Sequence, residues 1–222
     1  MAVHIEGQTV RGAKVIGSDR RYEGVRLVKC TLSACSLAQF DDPEFSLVVR
    51  DSSMQGCRVD RCSVQGVFFD GVTIDGLAAK QLHRLYGCVF RRVVLRGKIG
   101  PIMAMGPHTG LAGREHYIAG MIEKYRDIEW ALDISEAVFS DADFYYVPGH
   151  LIRRDPETQV LLSREKVKNV PREDFPLYAG IWASRFDETP FDTLVGVAPK
   201  ASSNFSNYMS DIEWLRSRNL VE

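Results

Sequence analysis

The clearest indication of the fold class is the sequence of residues 57–76, CRVDRCSVQGVFFDGVTIDG. The stretch divides into four blocks of five residues, CRVDR, CSVQG, VFFDG and VTIDG, and the first and third residue of each block is apolar or small. Side chains two positions apart point to the same side of an extended chain, so this pair faces a core. The last two positions favour Asp and Gly, which suit a turn. A chain that buries two residues and then turns every five residues winds into a coil with stacked turns.

The five-residue step continues on both sides of this stretch. It predicts coils over residues 1–100, and it returns at 132–146. The step is interrupted near 18–22, 38–44 and 77–87, where we expect loops. Further inward pairs are Val3/Ile5, Val25/Leu27, Cys30/Leu32, Cys35/Leu37, Cys88/Phe90, Val93/Leu95, Leu132/Ile134 and Ala137/Phe139.

The segment Ala142-Asp143-Phe144 and the VFFDG and VTIDG blocks resemble the repeat of the pentapeptide-repeat family. The resemblance implies a mainly β fold, a right-handed parallel β-helix with a quadrilateral cross-section and four pentapeptides per coil. It covers a little over half of the chain. The repeat specifies a fold and carries almost no information about an activity.

The rest of the chain follows other patterns. Residues 101–131 predict a loop followed by an inserted amphipathic α-helix at about 113–130, because apolar residues recur there at helical spacing. We expect this helix to cover an end of the β-helix. Residues 147–222 predict an irregular tail with a terminal helix at about 204–218. In the resembled family an apolar C-terminal helix is a common dimerisation device, which implies a homodimer through this helix.

The composition is that of a soluble globular protein: 222 residues, 45% hydrophobic, 26% charged and a formal net charge of -1. No run of eighteen apolar residues and no secretory signal is visible, so we expect a cytoplasmic protein without membrane contact. The five cysteines include no CxxC pair, and all occupy the first inward position of a block. They predict packing inside the coil, with no metal site and no disulfide framework.

Charge is divided unevenly between the two parts of the chain. Residues 1–100 carry 15 Lys and Arg against 10 Asp and Glu, whereas residues 101–222 carry 13 against 19. Members of the resembled family that protect DNA gyrase are thought to mimic DNA with an acidic coil, and this coil is mildly basic. Arg91, Arg92 and Arg96 are candidate binding residues near its end. Direct nucleic-acid contact through them is the weakest of three readings, because the aromatic residues of a single-strand groove are missing.

Candidate catalytic residues are few. The chain lacks HExxH, GxSxG and phosphate-loop motifs, and nothing implies a cofactor. His108 lies in a Gly- and Pro-rich segment of the kind that often carries catalytic groups. Glu115 and His116 follow it, at the start of the predicted helix. These three residues are the candidates if the protein is an enzyme, which the absence of motifs disfavours.

Two functions follow as hypotheses. The first is a non-catalytic protein-binding β-helix, a self-protection, immunity or antibiotic-resistance factor that acts on a topoisomerase such as DNA gyrase or on a toxin-like enzyme. The alternative is a small-molecule-binding protein or enzyme with a pocket between the coil and the 101–150 and C-terminal segments.

Overall fold

Stacked sheets of parallel strands form most of the protein in the computed structural model, which describes residues 3–222. We call this part the body. Its strands are β1 (Val3–Glu6), β2 (Thr9–Arg11), β3 (Lys14–Ile16), β4 (Arg21–Glu23), β5 (Val25–Val28), β6 (Thr31–Ser33), β7 (Ser36–Ala38), β8 (Val48–Arg50), β9 (Ser53–Asp60), β10 (Ser63–Gln65), β11 (Phe68–Asp70), β12 (Thr73–Ala79), β13 (His83–Tyr86), β14 (Val89–Arg91), β15 (Val93–Ile99), β16 (Ile102–Met105), β17 (Leu132–Asp133), β18 (Ala137–Phe139), β19 (Ala142–Asp143) and β20 (Ile152–Arg153).

Three sheets share these strands. The first runs β1-β5-β9-β12-β15-β17-β20, with β2, β6 and β18 paired at its side. The second runs β3-β7-β10-β13-β16-β19, and the third runs β4-β8-β11-β14. The chain therefore visits the sheets in turn and returns to each one, as a coiled path of parallel strands requires.

The register gives the length of each turn. Thr73 pairs with Val94, 21 residues later, which is close to four five-residue blocks. The interval grows to 40 residues between Ile102 and Ala142, because an α-helix is inserted between those strands. The parallel pairing and its interval are compatible with the predicted β-helix.

Bends between strands rely on left-handed backbone. β12 runs along two neighbouring faces of the body, and Gly76 lies at its bend with φ 75°. A Cβ at this position would lie 3.8 Å from Gly56, the glycine at the equivalent bend of the preceding turn. Glycine adopts positive φ without a steric penalty, so it suits both bends.

The cysteines pack inside the body. Cys30, Cys57 and Cys88 are buried, and all five cysteines are free thiols. The Cys57 thiol donates to the carbonyl oxygens of Leu27 and Gln55, each at 3.5 Å, and these two residues belong to successive turns. A buried thiol thus satisfies its weak donor within the wall of the coil.

The inserted helix α1 spans Arg114–Arg126, inside the predicted range. The expectation that it covers an end of the body was wrong, because it lies along the side and contacts more than one turn. It buries Tyr117, Met121 and Tyr125. Two of its tyrosine hydroxyls accept backbone hydrogen bonds from the body: Tyr125 from the N–H of Phe90 at 3.2 Å, and Tyr117 from that of Asp42 at 2.8 Å. These bonds fix the helix to two separate turns.

Two loop predictions were wrong in extent. The predicted loop at 101–112 begins too early, because β16 continues the second sheet through Ile102–Met105 before the chain leaves the body. The predicted loop at 77–87 is mostly strand: β12 extends to Ala79 and β13 starts at His83. One extra residue between the inward pairs Leu77/Ala79 and His83/Leu85 shifts the five-residue phase, which makes the sequence look interrupted.

Most of residues 147–222, predicted as an irregular tail with a terminal helix, instead form a smaller C-terminal unit with its own apolar core. Helices α3 (Leu177–Ser184) and α4 (Phe205–Ser217) pack together beside the antiparallel pair β21 (Gln159–Ser163) and β22 (Thr193–Val197), and α2 (Arg164–Val167) follows β21. Single turns of 3-10 helix lie at Gly149–Leu151, Arg172–Asp174 and Arg185–Asp187. The largest buried side chains of this core are Trp182, Phe186, Leu162, Leu194, Ile212 and Leu215. In the described part of the chain, no helix has the length and hydropathy needed to cross a membrane.

Candidate functional site: a cleft between the body and the C-terminal unit

A cleft of about 460 Å³ lies where the body meets the C-terminal unit. The segment that leaves β16 forms one wall, and the residues that follow β19 form another. The third wall comes from the C-terminal unit. The lining residues are Tyr86, Met105, Gly106, Pro107, His108, Thr109, Arg114, Tyr145, Tyr146, Asp187 and Glu188.

Arg114, the first residue of α1, crosses the base of the cleft. Its Nη2 donates to the Tyr146 hydroxyl at 3.2 Å, and its Nε donates to the carbonyl oxygen of Pro107 at 3.2 Å. Its one carboxylate partner is Glu115, at 3.3 Å, whose side chain is 84% exposed. An ion pair with so exposed a carboxylate is worth little. Three of the five N–H groups of Arg114 are thus engaged within residues 3–222, and one on each Nη is left for an anion.

Tyr146 connects the three walls. Its hydroxyl donates to the carbonyl oxygen of Glu188 at 2.8 Å while it accepts from Arg114. Its ring lies against Gly106, where a Cβ would come within 2.4 Å of the ring. Any larger residue at position 106 would displace the ring, so the glycine shapes the cleft.

His108 lies at the rim and is exposed. The Gly110 N–H donates to His108 Nδ1 at 3.2 Å. In the neutral ring this bond leaves the proton on Nε2. The imidazole also packs edge-on against Tyr86, with ring centroids 5.6 Å apart. His108 can therefore present an Nε2–H donor at the entrance of the cleft.

Two ion pairs of Arg185, with Asp143 and with Glu188, lie next to the cleft. Arg185 Nε donates to Asp143 Oδ2 at 2.8 Å, and its Nη1 donates to Glu188 Oε1 at 2.7 Å. The same guanidinium lies 4.5 Å from the centroid of the Tyr145 ring. Burial raises the pKa of the Asp143 carboxyl to about 6, although the charge of Arg185 opposes that shift. A carboxyl that titrates near neutral pH is typical of functional sites.

The structure does not bring the three candidate catalytic residues together. His108 lines the cleft, whereas Glu115 and His116 do not, and both are exposed on the outer side of α1. Sequence reasoning missed Arg114, Tyr145 and Tyr146. The two consecutive tyrosines directly after the last repeat were the available signal.

The candidate arginines near the end of the coil hold a buried carboxylate. Asp70 is fully buried, and it accepts from Arg50 Nε at 2.9 Å, Arg91 Nε at 2.9 Å and Arg92 Nη2 at 2.8 Å. Burial alone would raise the pKa of Asp70, but hydrogen bonds and charges from Arg91 and Arg92 hold it well below its usual range. Arg96 pairs with Asp75 at 3.0 Å. These contacts give all three candidates a structural role, and their binding role stays a prediction.

Among residues 3–222, no three or more His, Cys, Asp or Glu side chains cluster in a way that could hold a metal ion. A scan against protein-family models, a search of curated proteins and a search of solved structures each found no match to this chain. The geometry of the cleft is therefore the basis for the functional argument.

Proposed function

We propose that the protein binds a small, planar organic anion in the cleft between the body and the C-terminal unit. The observation that carries the proposal is the position of Arg114. Its guanidinium lines the cleft and bonds mainly to uncharged oxygens of Tyr146 and Pro107. A planar guanidinium is well suited to a carboxylate, which it can bind through two parallel hydrogen bonds.

Each acidic residue of the cleft has an arginine partner, and the Asp187–Arg172 pair is exposed, so it offsets the charge of Asp187 only in part. Asp187 accepts two hydrogen bonds from Arg172, at 2.9 and 2.7 Å. Glu188 accepts from Arg185 at 2.7 Å. Arg114 is then the cation with the weakest carboxylate partner at this site.

Aromatic walls favour a planar ligand. Tyr86, Tyr145 and Tyr146 line the cleft, and Tyr145 packs at 72° to Tyr146 with centroids 5.4 Å apart. Tyr145 and Tyr146 are each 3% exposed, so half-buried Tyr86 offers the accessible ring of these walls. Aromatic walls with a few convergent polar groups are typical of small-molecule sites.

Calorimetry with simple probes tests this function. We expect benzoate and 4-hydroxybenzoate to bind, and acetate and benzyl alcohol to bind much more weakly. Arg114→Gln should weaken benzoate binding at least tenfold, because a hydrogen bond to a charged group contributes about 1.5–3 kcal/mol. The matched control is Arg126→Gln, which removes an exposed arginine of the same helix that pairs with Glu123. Equal benzoate affinity in the two variants, or no binding to the unaltered protein, would refute the proposal.

For the body, we propose the finer architecture that the repeat predicts, a right-handed pentapeptide-repeat β-helix. The parallel pairing supports it, as does the interval of about 20 residues between equivalent strands. Inward pairs such as Val72 and Ile74 recur in equivalent positions of successive turns.

Protein binding is the second candidate function, and one observation favours it. Leu177 and Ile181 lie one turn apart on α3 and are 69% and 42% exposed. Exposed apolar pairs of this kind occur in protein interfaces. The family resemblance makes DNA gyrase the first partner to test, by direct binding and a supercoiling assay with Leu177→Asp as the variant. Binding that Leu177→Asp abolishes would support this role, and no binding at micromolar concentration would exclude gyrase. Homodimerisation through α4 stays a prediction.

A further inference from the structure

A second cavity, of about 300 Å³, lies inside the body along the axis of the stacked turns. Its lining begins at Val10 and Val15 in the first turn and ends at Leu132 and Phe144 in the last. It shares no lining residue with the cleft. The cavity is therefore an independent site.

The cavity exists because many inward side chains are too short to meet across the axis. Val15, Leu37 and Val64 occupy equivalent positions on three successive turns of the second sheet. All three point inward, yet they are only half-buried, because they border the open axis. Phe69 and Phe90, at the equivalent positions of the third sheet, are larger and stack at 5.8 Å.

One end of the cavity is open and the other is closed. Within residues 3–222, strands β1 to β4 pair on one side only, so the first turn is an edge. Val10 and Val15 are half-buried there, and Ala13 is exposed. At the opposite end Leu132 and Phe144 are no more than 1% exposed. Among residues 3–222 the first turn is therefore the open end of the cavity.

The shape of the cavity selects its occupant. About 300 Å³ is twice the volume, roughly 150 Å³, of an apolar cavity that stays dry and binds benzene. The lining residues of the fifth and sixth turns, among them Leu95, Ile102 and Leu132, are at most 4% exposed, so the open part of the cavity spans the first four turns. Three strand spacings, about 14 Å, give a mean cross-section on the order of 20 Å², the width of an extended polymethylene chain. A column this narrow admits an unbranched chain and excludes a bulky ring system.

The wall is apolar apart from small polar groups and one ring. His83 lines the axial cavity and also a separate polar pocket on the outside of the body. Burial lowers its pKa, so the ring is neutral near pH 7. A neutral wall leaves no fixed charge that a buried ligand would have to neutralise.

We infer that the body binds an unbranched acyl or alkyl chain in this axial cavity, with the polar end of the chain in solvent at the first turn. A chain inserted from that end removes its methylenes from water one after another. The interior therefore provides affinity for a chain, and the exposed polar end tolerates different head groups.

Chain-length dependence is the test. We expect hexanoate, octanoate, decanoate and dodecanoate, kept below their micellar concentrations, to bind the full-length protein with affinity rising about three- to fourfold per methylene. Decanol should bind comparably to decanoate, and adamantane-1-carboxylate should not bind. Absence of saturable binding, or equal affinity for the adamantane compound, would overturn the inference.

Val64→Phe blocks the column at the third turn. Phenylalanine occurs at the equivalent position in Phe69 and Phe90, so the substitution suits the fold. We expect the affinity for dodecanoate to fall at least tenfold and the dependence on chain length to disappear. Leu37→Phe, one turn nearer the entrance, serves as a second blocking variant if Val64→Phe does not fold.

Two control variants test whether the acyl chain occupies the axial cavity. Val94→Phe introduces the same substitution between the inward residues Val93 and Leu95, on the outer face, and should leave binding unchanged. Arg114→Gln alters the cleft and should also leave dodecanoate binding unchanged. If Arg114→Gln abolishes that binding, the chain occupies the cleft and the axial site is refuted.

Discussion

Asp70 shows how a single residue stabilises the stack of turns. Its buried carboxylate joins Arg50 of the preceding turn to Arg91 and Arg92 of the following turn. Asp70→Asn leaves three guanidinium groups around an uncharged amide. We expect it to lower the free energy of unfolding at pH 7 by about 3 kcal/mol, measured by urea denaturation.

The pH dependence of Asp70→Asn tests the same ion cluster. Because the folded-state pKa lies below the unfolded value, the stabilisation is present above about pH 4 and is lost as the pH falls further. The difference in free energy of unfolding between the variant and the unaltered protein should therefore decrease as the pH is lowered from 4 to 2. Asp75→Asn, at a carboxylate that is 36% exposed, is the control and should cost at most about 1 kcal/mol. A difference in free energy of unfolding that stays constant from pH 4 to pH 2 would contradict the stabilising role of the Asp70 carboxylate.

Cys88 provides a chemical test of the interior. Burial raises the pKa of its thiol to about 12, and the thiolate is the reactive form. We expect iodoacetamide at pH 8 to leave Cys88 unmodified in the native protein and to alkylate it fully in urea, as measured by peptide mass spectrometry. Comparable rates in the two states would show that the wall of the coil opens.

At the scale of elements, Gly120 determines how closely α1 approaches the body. A Cβ at this position would lie 2.1 Å from the carbonyl oxygen of Pro43. In a free helix, replacing glycine by alanine stabilises by about 1 kcal/mol. Here we expect Gly120→Ala to destabilise by about 1–3 kcal/mol, because the helix must move away from the 39–46 loop. A rise in melting temperature would mean that α1 is not held against that loop.

The spacing of apolar residues located α1 but misassigned part of its buried face. The sequence predicts a buried face made of Ile118, Met121, Ile122, Tyr125 and Ile128. In the structure Tyr117 is buried and Ile122 is 41% exposed. Tyr117 faces inward because its hydroxyl accepts a backbone hydrogen bond from Asp42, and apolar periodicity carries no signal for that.

At the scale of the whole molecule, the repeated half of the chain was far easier to predict than the site. The five-residue step is local, so it is readable wherever the phase is unbroken. The cleft instead combines Tyr86, Arg114, Tyr146 and Glu188, which are distant in sequence. Docking of the C-terminal unit adds Asp187 and Glu188 to the residues of the body, and the sequence of that unit has no period from which this docking could be deduced.

The Asp143–Arg185 pair is the ionic contact behind the cleft that links the body to the C-terminal unit. Its carboxyl is 16% exposed, and burial raises its pKa from 3.8 to about 6. The protonated form is therefore favoured by folding, and stability from this group is lost as the pH rises from about 4 to about 6. Asp143→Asn resembles the protonated form, so we expect the variant to be more stable at pH 7 by about 3 kcal/mol, with a flatter dependence of the free energy of unfolding on pH between pH 4 and 6. The control is Asp187→Asn, at an exposed pair with Arg172, which should change stability by less than about 1 kcal/mol. If Asp143→Asn is instead less stable at pH 7, the attraction between the two charges exceeds the desolvation of Asp143, and the ion pair itself holds the C-terminal unit on the body.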